Sequence, residues 1–203
     1  MKAAVIDDIR LARQELIRLL GNFPEVEVVG EASNAEEARE LINEHDPDLL
    51  CLDIQMPEED GFSLLESIDD VPDVIFTTAF HDYALKAFEN NALDYLVKPI
   101  DPDRLAGALE KYSSHRVVSS KNSLLDERSK VFVKEGEKCW FVRLENVRFF
   151  ETYGNYSKIY FGNEIAMVGK SLNYLESRLD PTKFFRASRQ YIIHLEFVEE
   201  VVP

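Results

Sequence analysis

Asp7 with Asp8, Asp53, Thr78 and Lys98 stand at the ends of separate apolar runs, and their chemistry suits the transfer of a phosphoryl group. Three carboxylates brought near one another repel, and the usual remedy is a hard divalent cation bound through oxygen. Magnesium suits such an open carboxylate site better than a thiol-seeking metal does. With a cation screening the charge, Asp53 can attack phosphorus as a nucleophile. Lys98 supplies a compact positive charge for phosphoryl oxygens, and the Thr78 hydroxyl can donate a hydrogen bond to one of them. Thr77 is the neighbouring competitor for the hydroxyl role.

These residues need a scaffold that brings strand ends together. The apolar runs 3–6, 26–29, 49–52, 74–76 and 93–97 read as buried parallel strands. Between them lie segments of helical spacing. Residues 9–20 carry Leu11, Leu16, Leu19 and Leu20 and are stopped by Gly21, Asn22 and Pro24. Asn34 caps a second helix with Ala35, Ala38, Leu41 and Ile42 on its apolar stripe, and 61–68, 82–89 and 101–112 read as three more. Five βα units imply an α/β fold with a five-stranded parallel sheet covered on both faces. In such sheets, ligands bind outside the carboxyl ends of the strands, where the five polar residues fall.

Serine-rich residues 113–123 break this pattern, and the remainder reads differently. Short strands are predicted over 131–134, 139–143, 147–151, 158–161, 165–168, 191–194 and 198–202, with one helix at 171–179. We therefore expect a first domain at 1–116, a linker at 117–128 and a smaller, mainly β domain at 129–203.

Charge divides the same way. The chain of 203 residues has a net charge of −15. Residues 1–118 hold 10 Lys and Arg against 26 Asp and Glu, a net of −16, whereas 119–203 hold 13 against 12, a net of +1. The overall acidity thus does not exclude a nucleic-acid role for the second half. No apolar run approaches the roughly 20 residues that span a bilayer, so a cytoplasmic protein without a membrane partner is expected. Cys51 and Cys139 lack the spacing of a disulfide framework or zinc site, and His45, His81, His115 and His194 are scattered.

The segments Val5-Ile6-Asp7-Asp8, Leu52-Asp53-Ile54-Gln55-Met56-Pro57, Asp60-Gly61, Thr78-Ala79 and Asp94-Tyr95-Leu96-Val97-Lys98-Pro99 resemble, in order and spacing, the receiver domain of two-component response regulators. That resemblance implies a flavodoxin-like doubly wound fold and phosphorylation of Asp53 by a sensor histidine kinase. It also implies Mg2+ bound directly by Asp8, with Asp7 acting largely through water and Asp53 and the Gln55 backbone carbonyl completing the protein ligands. The Gln55 side chain would tune dephosphorylation. Thr78 and Tyr95 match the coupled switch positions, which reshape the face made by the fourth and fifth helices and the fifth strand. Lys98-Pro99 matches a lysine followed by a cis proline. A lone Asp after a strand is usually a cap or turn residue, but this ordered set leaves that reading little room. Haloacid-dehalogenase-like phosphatases also use an Asp nucleophile, yet they favour Asp-x-Asp after the first strand. The resemblance therefore implies no enzyme acting on external substrates.

The second half, through 147–156, Gly169-Lys170-Ser171-Leu172 and 184–195, resembles the LytTR (LytR/AlgR) type of DNA-binding domain, which offers loops to successive DNA grooves. By position, Ser157 and Lys158 match a first contact loop, and Ser188, Arg189 and Gln190 a second. Arg189 is the base-contact candidate, since a guanidinium bridges guanine O6 and N7. Lys158, Lys170 and Arg186 suit phosphate contacts. His194 replaces an asparagine often seen there, which points to packing or hydrogen bonding. Family members usually continue some tens of residues further, so the resemblance implies an output domain incomplete at Pro203. The expected protein is a transcription regulator that dimerises on phosphorylation and binds promoter DNA. Its rival is a protein-interaction regulator that does not bind DNA.

Overall fold

The computed structural model describes residues 1–79, 92–115, 124–136 and 138–201. Contacts divide the chain into two units, one made of 1–65 with 72–117 and the other of 66–71 with 118–203.

In the first unit, β1 (Lys2–Ile6), β2 (Glu27–Ala32), β3 (Leu49–Asp53), β4 (Asp73–Thr78) and β5 (Asp94–Val97) form a parallel sheet in the order β2-β1-β3-β4-β5. The apolar runs of β1, β3 and β4 are buried on both faces, as a helix-covered parallel sheet requires, whereas the edge strands β2 and β5 are only partly buried. α1 (Arg10–Leu20) packs Leu16, Leu19 and Leu20 into a core shared with Ala3, Val5, Cys51, Ile75, Leu96 and Leu105, the last from α4 (Pro102–His115). α2 (Ala35–His45) starts where expected. The Asn34 side chain accepts from the Glu37 amide at 2.9 Å, while Glu37 reaches back to accept from the Ser33 amide at 2.7 Å. The first bond satisfies a donor that a helix start leaves open, and the second ties down the residue before the cap. α3 (Gly61–Ser67) follows β3. The helix predicted over 82–89 lies outside the described residues.

The second unit is mainly β. β6 (Lys130–Glu135) pairs with β7 (Lys138–Arg143). β8 (Val147–Tyr153), β9 (Tyr156–Phe161), β10 (Glu164–Val168), β11 (Phe184–Arg186) and β12 (Tyr191–His194) make an antiparallel sheet in the order β10-β9-β8-β12-β11. Gly154 and Gly162 open the turns joining β8 to β9 and β9 to β10 with φ of 63° and 47°, a left-handed conformation that glycine adopts without steric cost. α5 (Leu172–Arg178) begins at Ser171, whose hydroxyl accepts from the Tyr174 amide at 3.3 Å. Leu172, Leu175 and Leu179 join Val147, Phe150, Ile159 and Ile192 in the core.

Within the 117–128 span, Leu125 is buried, bridges Leu179 and exchanges backbone hydrogen bonds with Arg178 and Asp180. One expectation changes. Residues 198–201 do not form a strand; they follow a 3-10 turn at Leu195–Phe197 and pair with no strand among the described residues. The three-residue β11 has too short a pattern to announce itself, and it forms because β12 supplies its pairing.

Candidate phosphoacceptor site and DNA-contact loops

In the order β2-β1-β3-β4-β5 the direction of winding reverses between β1 and β3, which is where a crevice opens at the carboxyl edge. Asp7 follows β1, Asp53 ends β3, Thr78 ends β4 and Lys98 follows β5. Carboxylate oxygens of Asp7, Asp8 and Asp53 all lie within 4.8 Å of one another. Lys98 Nζ is 2.5 Å from Asp7 Oδ2 and 2.5 Å from Asp53 Oδ2. The site therefore carries three carboxylates against one ammonium, in a setting where Asp7 and Asp53 are 3 % and 4 % exposed.

The backbone holds these groups. Asp7 Oδ1 accepts from the Ile9 amide at 3.0 Å, which turns the chain from β1 into α1, and Asp53 Oδ1 accepts from the Gln55 amide at 3.1 Å. Gly61 must be glycine at this spot: a Cβ there would lie 2.4 Å from the Asp53 carbonyl oxygen. Its amide donates to Ile54 O at 2.9 Å, so the start of α3 is pinned beneath the phosphoacceptor candidate.

The charges respond to this enclosure. Burial raises the Asp53 carboxyl, opposed by the hydrogen bonds and charge of Lys98 and by the Gln55 amide, while the Asp7 charge adds to the rise. Burial alone would lower Lys98, but hydrogen bonds to Asp53 and Asp7 outweigh it and raise the ammonium. The two directions are compatible because one ammonium shared by two carboxylates is itself fully compensated, whereas the carboxylates are not. Such a surplus of negative charge on hard oxygen donors fits a divalent cation such as Mg2+.

Thr78 is buried and shares a side-chain hydrogen bond with Tyr95, whose hydroxyl is raised by burial against that bond and by the Asp53 charge. The two expected switch residues thus touch. Thr77 pairs with Asp53 in the sheet register, and its buried hydroxyl has no hydrogen-bond partner among the described residues. The Lys98–Pro99 peptide is cis.

Arg13 was not singled out by the sequence pattern. From α1 its guanidinium donates to Asp7 O at 2.7 Å and Nε pairs with Glu31 at 2.9 Å, bracing the loop that carries Asp7 and Asp8. Its only sequence signal is a cation one turn into a helix whose other buried positions are apolar.

In the second unit, Ser188, Arg189 and Gln190 share the exposed turn between β11 and β12. Ser188 Oγ accepts from the Gln190 amide at 3.0 Å. Arg186 proves to be the brace of this turn, donating to Ser188 O at 2.6 Å and Arg189 O at 3.0 Å, so its guanidinium is already engaged by the chain. Ser157 is fully buried and donates to Lys170 O at 2.8 Å, which removes it from any contact surface; it lies on the inward side of β9. Lys158, on the opposite side, lies over the Tyr153 ring at 4.6 Å. Lys170 forms an ion pair with Asp69. His194 is fully buried against Phe184 and Phe197, with ring centroids at 4.6 and 5.3 Å, and it serves packing.

Comparison with known proteins agrees with both halves. The family model described as the response regulator receiver domain matches residues 3–110, and that of the LytTr DNA-binding domain matches 137–203. The chain is 34% identical over 213 residues to the transcriptional regulatory protein LytR of Staphylococcus aureus, covering 99% of this chain and 86% of that protein. It is 32% identical over 213 residues to the sensory transduction protein LytT of Bacillus cereus, covering 100% and 87%. Among solved structures, the response regulatory domain of mrkE from Klebsiella pneumoniae aligns with a TM-score of 0.50 and 31% identity, over 56% of this chain and 96% of that one. The geometry of the crevice and these matches agree that the chain belongs to the response regulators in which a phosphorylated receiver is joined to a LytTR domain, and that it acts as a regulator of transcription.

Proposed function

We propose that Asp53 is the phosphoacceptor and receives its phosphoryl group from a phosphohistidine on a sensor kinase. A carboxylate oxygen of Asp53 attacks phosphorus, the P–N bond breaks, and the histidine nitrogen leaves with the bonding pair and is then protonated. Asp7, Asp8, Asp53 and the Gln55 carbonyl would hold Mg2+, which when bound offsets negative charge on the phosphoryl oxygens. Lys98 steadies those oxygens, and Thr78 donates to one of them, drawing on the contact it shares with Tyr95. The observation that carries this reading is the convergence of three carboxylates on one ammonium, with Lys98 2.5 Å from both Asp7 and Asp53.

Phosphorylation then shifts a pre-existing equilibrium toward a homodimer that binds paired half-sites on promoter DNA. Arg189, with Ser188 and Gln190 beside it, reads base edges, Lys158 meets phosphate, and Arg186 positions the turn. The chain turns over no external substrate. Its working place is the cytoplasm, where kinase and DNA meet it.

The test is incubation of the purified chain with a small acyl phosphodonor and Mg2+. One phosphoryl group is expected by intact mass, absent in Asp53→Asn; an unchanged wild-type mass refutes the assignment. Binding sites selected from a random DNA pool should become less well discriminated in Arg189→Ala.

A further inference from the structure

Within the second unit, one carboxylate is held by three donors. The Lys170 ammonium donates to Asp69 Oδ1 and also to Ile68 O at 3.1 Å. The Tyr174 hydroxyl donates to Asp69 Oδ2 at 2.6 Å, and Arg178 Nε donates to the same oxygen at 3.1 Å. Tyr174 and Arg178 are four residues apart on α5 and so share a face. The backbone from which Lys170 extends is fixed by the buried Ser157 hydroxyl. Two positive charges and a phenol are thus arranged in advance around one anion, and that anion belongs to the chain itself. The Lys170 side chain is only 14% exposed in this state.

Burial opposes the Asp69 charge, yet the hydrogen bonds from Lys170 and Tyr174, with the charges of Lys170 and Arg178, hold its carboxyl below the usual range. The three donors meet both oxygens of the carboxylate, a geometry that suits an anion with two adjacent oxygens. A DNA phosphodiester presents the same pair of oxygens and the same single charge, and it lies on the ligand that this domain binds.

We propose that Lys170, Tyr174 and Arg178 form a backbone-phosphate subsite of the DNA-binding domain, and that Asp69 occupies it as an internal mimic that must leave before a DNA phosphate enters. This rests on the DNA-binding reading of the second unit. Asp69 then acts as a competitor, lowering DNA affinity by the stability of its own contacts. It confers no sequence preference, because a phosphate carries none.

The probe is a labelled 20-base-pair duplex of random sequence, followed by fluorescence anisotropy with the full chain over a series of salt concentrations. Asp69→Asn is expected to bind about tenfold tighter, the scale of one added contact to a charged group. It should also steepen the plot of log affinity against log salt by about 1, since each neutralised phosphate contributes about 0.9. Adding Lys170→Ala to Asp69→Asn should cost more affinity than Lys170→Ala does in the wild type, by about fivefold. In the wild type, amide hydrogen exchange across 68–71 should rise when the duplex saturates the chain, a readout that needs no variant. The proposal is overturned if Asp69→Asn, folded by circular dichroism, keeps the wild-type affinity and salt slope, or if exchange across 68–71 is unchanged by DNA. Failure of base reading is a separate result: a chain that binds the random duplex but selects no sequence loses the role given to Arg189 and keeps the subsite.

Discussion

Gly61→Ala tests whether the position of the Asp53 backbone controls phosphoryl transfer. The added methyl would lie 2.4 Å from Asp53 O and 3.1 Å from Leu52 Cγ, whereas ordinary contact begins at 3.4 Å. The closer atom is backbone, so rotation of a side chain gives no relief, and about 1 Å of separation must come from moving the end of β3 or the start of α3. The two are tied by the Gly61 amide, 2.9 Å from Ile54 O, so either movement is transmitted to Asp53. Misplacement of a reacting group by about 1 Å costs on the order of 100-fold in rate. Overpacking of this kind removes about 1–3 kcal/mol of stability. The assay is the time course of mass gain with a small acyl phosphodonor and Mg2+, beside thermal unfolding. Gly107→Ala is the control, because nothing lies within 4 Å of a Cβ there and it sits inside α4. It should phosphorylate normally and gain roughly 0.5–1 kcal/mol from helix propensity. A Gly61→Ala chain with wild-type rate and melting temperature would refute the reasoning.

Asn34→Ala removes the acceptor for the Glu37 amide and should lower stability by about 1 kcal/mol in a denaturant titration. Burial pushes the Cys51 thiol from 9.0 up to about 12. Its folded value exceeds its unfolded one, so its contribution to stability is complete below pH 9.0 and is lost as the pH rises through about 12. At pH 8 a thiol-alkylating reagent should accordingly modify the half-buried Cys139 in the native chain and reach Cys51 only on unfolding, as peptide mapping would show. Mg2+ at about 100 times its dissociation constant should stabilise the receiver by roughly 2.7 kcal/mol, reversed by chelation and absent in Asp8→Asn, as read by the shift in melting temperature.

The sequence by itself determined the parallel sheet and the identity of its strand-end residues. Runs such as those ending in Ile6 and Leu52 are apolar on both faces, and that pattern follows from burial on two sides whatever their partners. Because Asp7, Asp53, Thr78 and Lys98 each end such a run, a parallel sheet places them along one edge. Tertiary structure decided everything that depended on a partner distant in the chain. Lys98 reaches Asp53 across 45 residues, Arg13 reaches Glu31 across 18, and Lys170 reaches Asp69 across 101. Arg186 and Arg189 are both arginines in one loop, yet the first has its guanidinium on the loop carbonyls while the second is exposed. Ser157 and Lys158 are neighbours that alternation along β9 sends to opposite faces. Residue type and local period report which positions are buried or end an element. They do not report which donor meets which acceptor, because that is set by how separate elements pack.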